Sequence, residues 1–394
     1  MSGSLIVSGA RTPIGKLLGA LAGLSAVDLG ALAIAEALAR AGVAPEDVYY
    51  VVMGQVLGAG QGQITARQAA VRAGIPMVTP ATTVNKVCLS GLNAIHLADL
   101  MIRAGEAAIV VAGGMESMTQ APYLLPGARA GYRLGDRRVV DSMMNDGLLC
   151  AFDHVAMGVS TESFNRALGI SRERQDALAA LSHQRATAAI KDGRLAEEIV
   201  PVSVPQRKGD PVVVDTDEGV RPETSLESLA ALGPVFDSEG TITAGNSSQI
   251  SDGGAAVVVM SPERADELGV TPLGEIMGYA QVAGPDTSLL TQPSHAIRDA
   301  LSRAALEVKD VDLFEINEAF AAVNAASMDD LGVPGDIVNV NGGAIALGHP
   351  IGMSGARLVI TMLHELRRRG GGLGAVGLCG GGCQGDAAVL RVVS

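Results

Sequence analysis

Residues 83–116 read TVNKVCLSGLNAIHLADLMIRAGEAAIVVAGGME, and this stretch decides the fold. A short β-type run ends at Asn85, Cys88 stands just ahead of Ser90-Gly91, and a helical run follows to about Arg103. Ala107–Ala112 then reads as a second buried strand. Cys88 thus falls where a strand gives way to a helix. Free N–H groups and the positive end of the helix dipole at that point favour a thiolate, which suits a nucleophile. The competing reading is a small buried apolar residue, the usual state of a free cysteine.

Around this stretch the spacing predicts an alternation of strands and helices. Leu5–Gly9, Tyr49–Gln55 and Ala81–Asn85 read as strands, Ala26–Ala41 as a helix closed by Gly42, and Gln63–Ala73 as a helix closed by Gly74. The helix over 91–103 carries apolar residues around most of its circumference (Leu92, Ile95, Leu97, Leu100, Met101, Ile102), so it is expected inside the protein. From Met115 to about Gly245 the chain is rich in proline and charge, with one evident long helix, Arg172–Lys191, and reads as an inserted lid. The alternation resumes with strands at Ala255–Met260, Leu273–Val282, Leu313–Asn317, Ile337–Asn341, Gly374–Leu378 and Ala387–Val393. Helices are predicted at Ser294–Leu306, Ala319–Leu331 and Gly355–Arg368.

The two ends of the chain echo each other. TTVN, Ser90-Gly91, a helix, Gly105 and a strand into GGME match VNVN, Ser354-Gly355, a helix, Gly370 and a strand into CGGG. A duplicated α/β unit, its first copy opened to admit the lid, is the simplest account. In such a fold Cys88 and His349 occupy corresponding places at the mouths of two central helices, and a pseudo-twofold axis brings them together. A Cys–His pair is the minimum for thiol nucleophilic catalysis, the imidazole keeping the sulfur ionised. Cys379 ends a strand among glycines that let a backbone N–H approach a ligand. A thiol with its pKa near eight can shuttle a proton at neutral pH. Asn317 also ends a strand and can orient water or donate to an oxyanion.

Composition bounds the partners. The chain has 394 residues, a formal charge of −13 and nearly half its residues apolar, a balance that suits an α/β enzyme and argues against nucleic acid or an anionic membrane. MSGSLIVSGARTP has no basic n-region or long apolar core, and no run of about twenty apolar residues occurs, so neither signal peptide nor membrane helix is expected. Cys88, Cys150, Cys379 and Cys383 lack a disulfide-framework spacing, and a reducing cytoplasm is the expected setting.

Five blocks in order, VNKVCLSGL, GGMESM, NEAFA (Asn317–Ala321), VNVNGGAIALGHPIGMSGAR and LCGGGCQGD, resemble the thiolase family along nearly the whole chain. The resemblance implies duplicated α/β halves stacked in five layers (αβαβα): 1–118 with 250–270, and 271–394, with a CoA-binding loop domain over 119–249. It implies acetyl transfer between coenzyme A thioesters, making or splitting acetoacetyl-CoA, with degradation of longer 3-ketoacyl-CoA chains as the alternative. By that resemblance Cys88 takes the acyl group, while His349 activates it and shares a first oxyanion hole with Asn317 and a water. Cys379 moves the α-proton, and the N–H groups of Cys88 and Gly381 form a second hole. Arg221 and Ser228 would meet the nucleotide end of CoA, aided by Arg207 and Lys208. Ala244, Ser248 and Ile250 would line the pantetheine path, and Leu148, Met157, Phe236, Ala319 and Phe320 would border the same tunnel. Acyl-CoA and CoA are the implied partners, with no permanent cofactor, and Tyr123–Asp141 matches a loop that forms homotetramers as dimers of dimers.

Two departures from the family pattern touch the acyl pocket. Ala156-Met157 stands where short-chain members often carry His-Met, and Leu289 where methionine is frequent. Cys383 reads as a passive small residue or as a thiol able to bridge to Cys379 on oxidation. A structural zinc site built from Cys88, Cys379, Cys383 and His349 is the rival class, disfavoured by the three glycines between the last two cysteines. A decarboxylating ketoacyl synthase would need a second histidine where Asn317 stands.

Overall fold

The computed structural model describes residues 3–393. The first half contributes β1 (Leu5–Arg11), α1 (Ala26–Ala41), β2 (Tyr50–Gly54), α2 (Thr65–Arg72), β3 (Ala81–Val84), α3 (Ser90–Arg103) and β4 (Ile109–Ser117). The inserted region holds α4 (Met157–Leu168) and α5 (Arg172–Lys191) with two small hairpins, after which β5 (Ser251–Met260) completes that half. The second half runs β6 (Gly274–Ala283), α6 (Gln292–Arg303), β7 (Leu313–Ile316), α7 (Ala321–Leu331), α8 (Ser354–Arg368), β8 (Gly372–Gly380) and β9 (Gln384–Val392). Local chemistry accounts for the best-defined ends. Ser25 and Asp28 form a reciprocal capping box at the start of α1, and Gly42 closes it at φ +64°.

The strands form one ten-stranded sheet in the order β7-β8-β9-β6-β1-β5-β4-β2-β3, with Gly15–Lys16 paired onto β5. Among the described residues its halves pair at Leu5↔Glu275 and Ile6↔Gly274, with flanking bonds from Leu273 to Ile6 and from Ile276 to Ser4. Each half repeats one pattern. A parallel pair (β2 with β4, β7 with β8) is followed by an antiparallel hairpin partner (β5, β9) and then a further antiparallel strand (β1, β6). This is the duplication expected from the echo in the sequence. Helices α1 and α2 cover the outer face of the first half and α6 and α7 that of the second, while α3 and α8 lie between the sheets in the largest apolar cluster. The order of layers is helix, sheet, helix, sheet, helix.

The inserted region is anchored to the first strand by a buried ion triad. Arg11, fully buried, donates to Glu198 at 2.6 Å and to Asp217 at 2.7 and 2.9 Å. A guanidinium fork meeting two carboxylates satisfies charges that would be costly to bury alone.

Three expectations are corrected. The predicted strand Ile337–Asn341 is a short 3-10 turn at Gly335–Ile337 followed by a single bridge, Phe314↔Val338. Asn339 sits at φ +48° and its side-chain amide does the pairing instead, accepting from the Ile316 N–H and donating to the Ile316 carbonyl, each at 2.8 Å. The helix α4 was hidden because its inward face is polar. Ser160, Thr161, Glu162 and Asn165 are buried, and Glu162 accepts the N–H groups of Thr241 and Ile242. Finally, α3 is not enclosed on every side. Leu97, Leu100 and Met101 line an open groove with Tyr50 and Val52, beside the edge strand β3.

Glycines set the spacing of the central helices. A Cβ on Gly91 would meet the backbone N of Ala356 at 2.9 Å and the carbonyl of Gly352 at 3.0 Å, and one on Gly355 would meet the backbone N of Leu92 at 2.3 Å. Gly355→Ala should therefore lower the urea midpoint by an amount equivalent to about 1–3 kcal/mol, the usual cost of overpacking. Gly58→Ala, at an exposed position with open space around it, should leave the midpoint unchanged.

Candidate active site

The turn that carries Cys88 is held in a conformation that side chains rarely adopt. Val87 stands at φ +50°, costly for a β-branched residue. Ser90 holds the turn from within, its Oγ accepting from the Lys86 N–H at 2.8 Å and donating to the Val87 carbonyl at 2.6 Å. Helix α3 then begins, and Cys88 lies just outside its first turn, 5% exposed.

The N–H of Gly381, on the turn that joins β8 to β9, reaches the Cys88 sulfur, as does the N–H of Cys88 itself. This close approach depends on glycine. A Cβ on Gly380 would lie 2.6 Å from Leu89 Cγ, and one on Gly381 would lie 3.1 Å from the Val87 methyls. Cys379 ends β8 with 1% exposure, near enough for a charge on Cys88 to be felt at its sulfur.

His349 enters from the loop before α8. Its Nδ1 lies 2.6 Å from Ser354 Oγ, and that hydroxyl donates to the Pro350 carbonyl at 2.9 Å. Because the hydroxyl proton is committed to Pro350, Ser354 accepts from Nδ1–H, leaving Nε2 as the free base. Nε2 faces Asn317 Nδ2 at 3.3 Å. Asn317 is fully buried, and its Oδ1 has no protein partner, a place where a bound water would be satisfied. His349 and Cys88 are not strictly corresponding residues. Cys88 is two positions before Ser90, whereas His349 is five before Ser354, the extra turn carrying Pro350 and Ile351.

Burial is the largest influence on the charges. It pushes the Cys88 thiol up to about 12, with Glu116 adding to the rise and the two N–H groups opposing it. It pulls His349 down to about 3, helped by the nearby Arg357 guanidinium. Cys379 is pushed far up, first by burial and then by Cys88. Against the expected resting thiolate and the expected pKa near eight at Cys379, burial favours the neutral form of both thiols and of the His349 imidazole. Glu116 is itself raised to about 7 by burial, although the N–H groups of Leu57, Val56 and Gly352 hold its carboxyl.

A cavity opens in front of His349. Leu148, Met157, Phe236, Ser248, Ile250 and Phe320 line it together with Ala156, and Met118, Met144 and Ile351 join them unforeseen. Phe236 and Phe320 meet edge to face at 6.0 Å, and Gly158 makes room for the Phe236 ring, which a Cβ would strike at 2.3 Å. Ala319 packs in the cluster around Cys379, with its carbonyl accepting from Ser248 N–H. Ala244, Arg221 and Ser228 lie at the surface, outside the cavity wall. The Ser228 hydroxyl is engaged in capping a short helix, donating to the Ser225 carbonyl at 2.9 Å. Cys383 faces Cys150 of the inserted region, not Cys379, and the two share a small cleft with Gly381 and Leu289. Among the described residues no cluster of three or more His, Cys, Asp or Glu side chains is arranged to hold a metal ion.

Ser354 and Glu116 were missed as site residues. The Ser-Gly echo at 90 and 354 was the available signal for the first, whereas a glutamate after Gly-Gly-Met carries none.

Comparison with known proteins gives concordant results. The model for the thiolase N-terminal domain matches residues 4–263, and that for the thiolase C-terminal domain matches 270–392. A probable acetyl-CoA acetyltransferase of Mycobacterium leprae is 57% identical over 393 residues, covering 100% of both chains. The acetyl-CoA acetyltransferase of Chromobacterium violaceum is 52% identical over 386 residues, covering 98% of each. The crystal structure of the Bacillus anthracis acetyl-CoA acetyltransferase superposes with a TM-score of 0.97 at 38% identity, covering 99% of each chain.

The protonation states make a direct prediction for the free protein. With the thiol near 12, the thiolate fraction of Cys88 grows tenfold per pH unit throughout the neutral range. Iodoacetamide labelling of Cys88, followed by peptide mass spectrometry from pH 6 to 9.5, should rise steadily without levelling. A plateau near pH 7 would show a depressed thiol instead.

Proposed function

The chain belongs to the thiolase family, and from that premise we propose that it acts as an acetyl-CoA acetyltransferase through an acetyl-Cys88 intermediate. It is an acyltransferase, and the observation that supports the mechanism is a pair of buried thiols close enough for a charge on one to be felt at the other, with Met118 and Ile351 packed against Cys88 and also lining the cavity that holds the oriented His349 imidazole. A hydrolase needs one thiol, whereas carbon–carbon bond formation needs a second group to move the α-proton.

In the first half-reaction His349 Nε2 takes the Cys88 proton as the sulfur attacks the thioester carbon. The resulting oxyanion lies at the Cys88 and Gly381 N–H groups, and the departing CoA sulfur takes the Cys379 proton. In the second, the Cys379 thiolate removes the α-proton of another acetyl-CoA. The enolate oxygen is held by the protonated Nε2 and by a water on Asn317. Its carbon attacks the acetyl thioester, and Cys88 leaves to recover its proton from His349. The high pKa of buried Cys379 makes its thiolate a strong base, which is what a weakly acidic carbon requires. Each oxyanion donor is worth about 2.7–4 kcal/mol in such sites.

Coenzyme A enters through the inserted region 119–249, where Arg207, Lys208 and Arg221 are exposed and, among the described residues, make no ion pair that would compete for its phosphates. Ala244 and Ser228 border that entrance. The chemistry is carried by the chain's own side chains and requires no resident cofactor. No helix among the described residues is long and apolar enough to cross a membrane, and we place the protein in the cytoplasm. The unpaired edge strand β3 and the apolar groove beside it support pairing with a second copy. The exposed Tyr123, Leu125 and Leu134 support further assembly to a homotetramer. The apolar cavity wall that includes Ala156 and Met144 keeps a second reading in play, cleavage of longer 3-ketoacyl-CoA chains.

Two measurements test these assignments. Cys88→Ser should abolish transfer of label from radiolabelled acetyl-CoA to protein, whereas Cys379→Ser should still acquire label yet lose condensation by a factor of at least about 10². Thiolysis rates across 3-ketoacyl-CoA of increasing length should be highest at four carbons. A rate that climbs beyond four carbons would select the degradative reading.

A further inference from the structure

A second buried polar cluster lies below the nucleophile turn, and the reaction steps above leave it unused. Lys86, two residues before Cys88, donates to Asp386 Oδ1 at 2.7 Å, with side-chain exposures of 16% and 0%. The Tyr279 hydroxyl donates to the other carboxylate oxygen. Asn93 and Gln281 reach the same hydroxyl at 3.5 and 3.4 Å, and His96 stacks flat on the tyrosine ring with centroids 3.8 Å apart.

The location of Asp386 gives the cluster its meaning. It is the residue after Gly385, which pairs directly with Cys379 across the β8–β9 hairpin, while Asp386 itself pairs with Leu378. The ion pair therefore joins the turn bearing one catalytic thiol to the strand pair bearing the other, across 300 residues of sequence. It attaches next to Val87, the residue at φ +50°. A rarely adopted backbone conformation persists only where its surroundings over-determine it. Ser90 does so from inside the turn, and Lys86 is its tie to the opposite half of the molecule. Burial raises the Asp386 carboxyl against the pull of Lys86 and Tyr279, so the tie is a cost to the fold unless it holds something in place. Lys86 reaches the site through the backbone of the turn it anchors, one residue from Val87 and two from Cys88.

We propose that Lys86 and Asp386, steadied by Tyr279, are positioning residues that hold the Cys88 turn in register with Gly381 and Cys379. The inference rests on Cys88 being the nucleophile. Loss of the tie lets the turn relax, and a misplacement of about 1 Å in such a site costs on the order of 10²-fold in rate. Neither residue lines the cavity in front of His349.

The test is the rate of Cys88 acetylation by radiolabelled acetyl-CoA in rapid-quench experiments, with the melting temperature measured in parallel. Lys86→Met and Asp386→Asn should each slow acetylation by about 10- to 100-fold while reaching the wild-type stoichiometry, with KM for acetyl-CoA little changed. Lys86→Arg should recover most of the rate. The double variant Lys86→Met/Asp386→Leu removes both buried charges, so it should regain the melting temperature but not the rate. It also serves as the test if either single variant fails to fold. Wild-type acetylation rates in the variants, or rate and melting temperature recovering together in the double variant, would overturn the positioning role alone. Label retained in Cys88→Ser would instead overturn the nucleophile assignment.

Discussion

The structure depends on how closely α3 and α8 approach at their N-terminal ends. Gly91 lies against the backbone of Gly352 and Ala356, Gly355 against Leu92, and a Cβ on Gly114 would lie only 1.9 Å from the Gly352 carbonyl. Backbone-to-backbone contact at these points lets two loops from distant parts of the chain end in one small volume. Cys88 stands on the loop before α3 and His349 on the loop before α8, and the Gly380-Gly381 turn packs against Leu89 and Val87 beside the first of these loops. Any side chain at these glycines would hold the loops apart.

That same closeness excludes water, and its exclusion sets the chemistry. A helix end favours a thiolate when solvent is present, but at Cys88 the loss of hydration outweighs the two N–H groups. Burial therefore favours neutral thiols and a neutral imidazole whose tautomer is set by Ser354 and Pro350, although Glu116 and Arg357 lie near enough to be felt. Charge develops only as substrate arrives, where preorganised donors act most strongly in a dry environment. Permanent charge is kept at fixed, paired positions further out, in the Arg11 triad and the Lys86–Asp386 pair, and these fix geometry.

The duplication is imperfect where the halves serve different ends. β3 closes the first sheet as a strand, whereas its counterpart near Val338 is a turn in which the Asn339 amide bonds Ile316 and donates to Glu318 at 3.0 Å. That departure leaves Asn317 at the end of β7 with its amide directed at His349. In the first half the place equivalent to Asn317 follows β2 and carries Gln55, whose side chain bonds Gln61 instead. The first copy thus carries Cys88, and the second carries His349 and Asn317.

Much of this was legible in the chain itself. Apolar periodicity and glycine punctuation placed α1, α3, α5 and most of the strands, because those elements are governed by local hydrogen bonding and by one buried face. The Ser-Gly echo revealed the duplication, and glycine-bounded blocks singled out Cys88, His349, Cys379 and Asn317 as candidates, to which the family resemblance added Gly381. Three-dimensional packing alone decided the rest. Helix α4 buries polar residues against partners some eighty positions away, as Glu162 does with Thr241 and Ile242, so no local pattern marks it. Protonation depends on how much water is excluded, a property of the assembled volume and not of residue order. The partners of Lys86 and Cys383, which are Asp386 and Cys150, were likewise set by where the strands and the inserted region came to rest. Sequence specified which groups the chain carries, and long-range packing specified which of them meet and in what charge state.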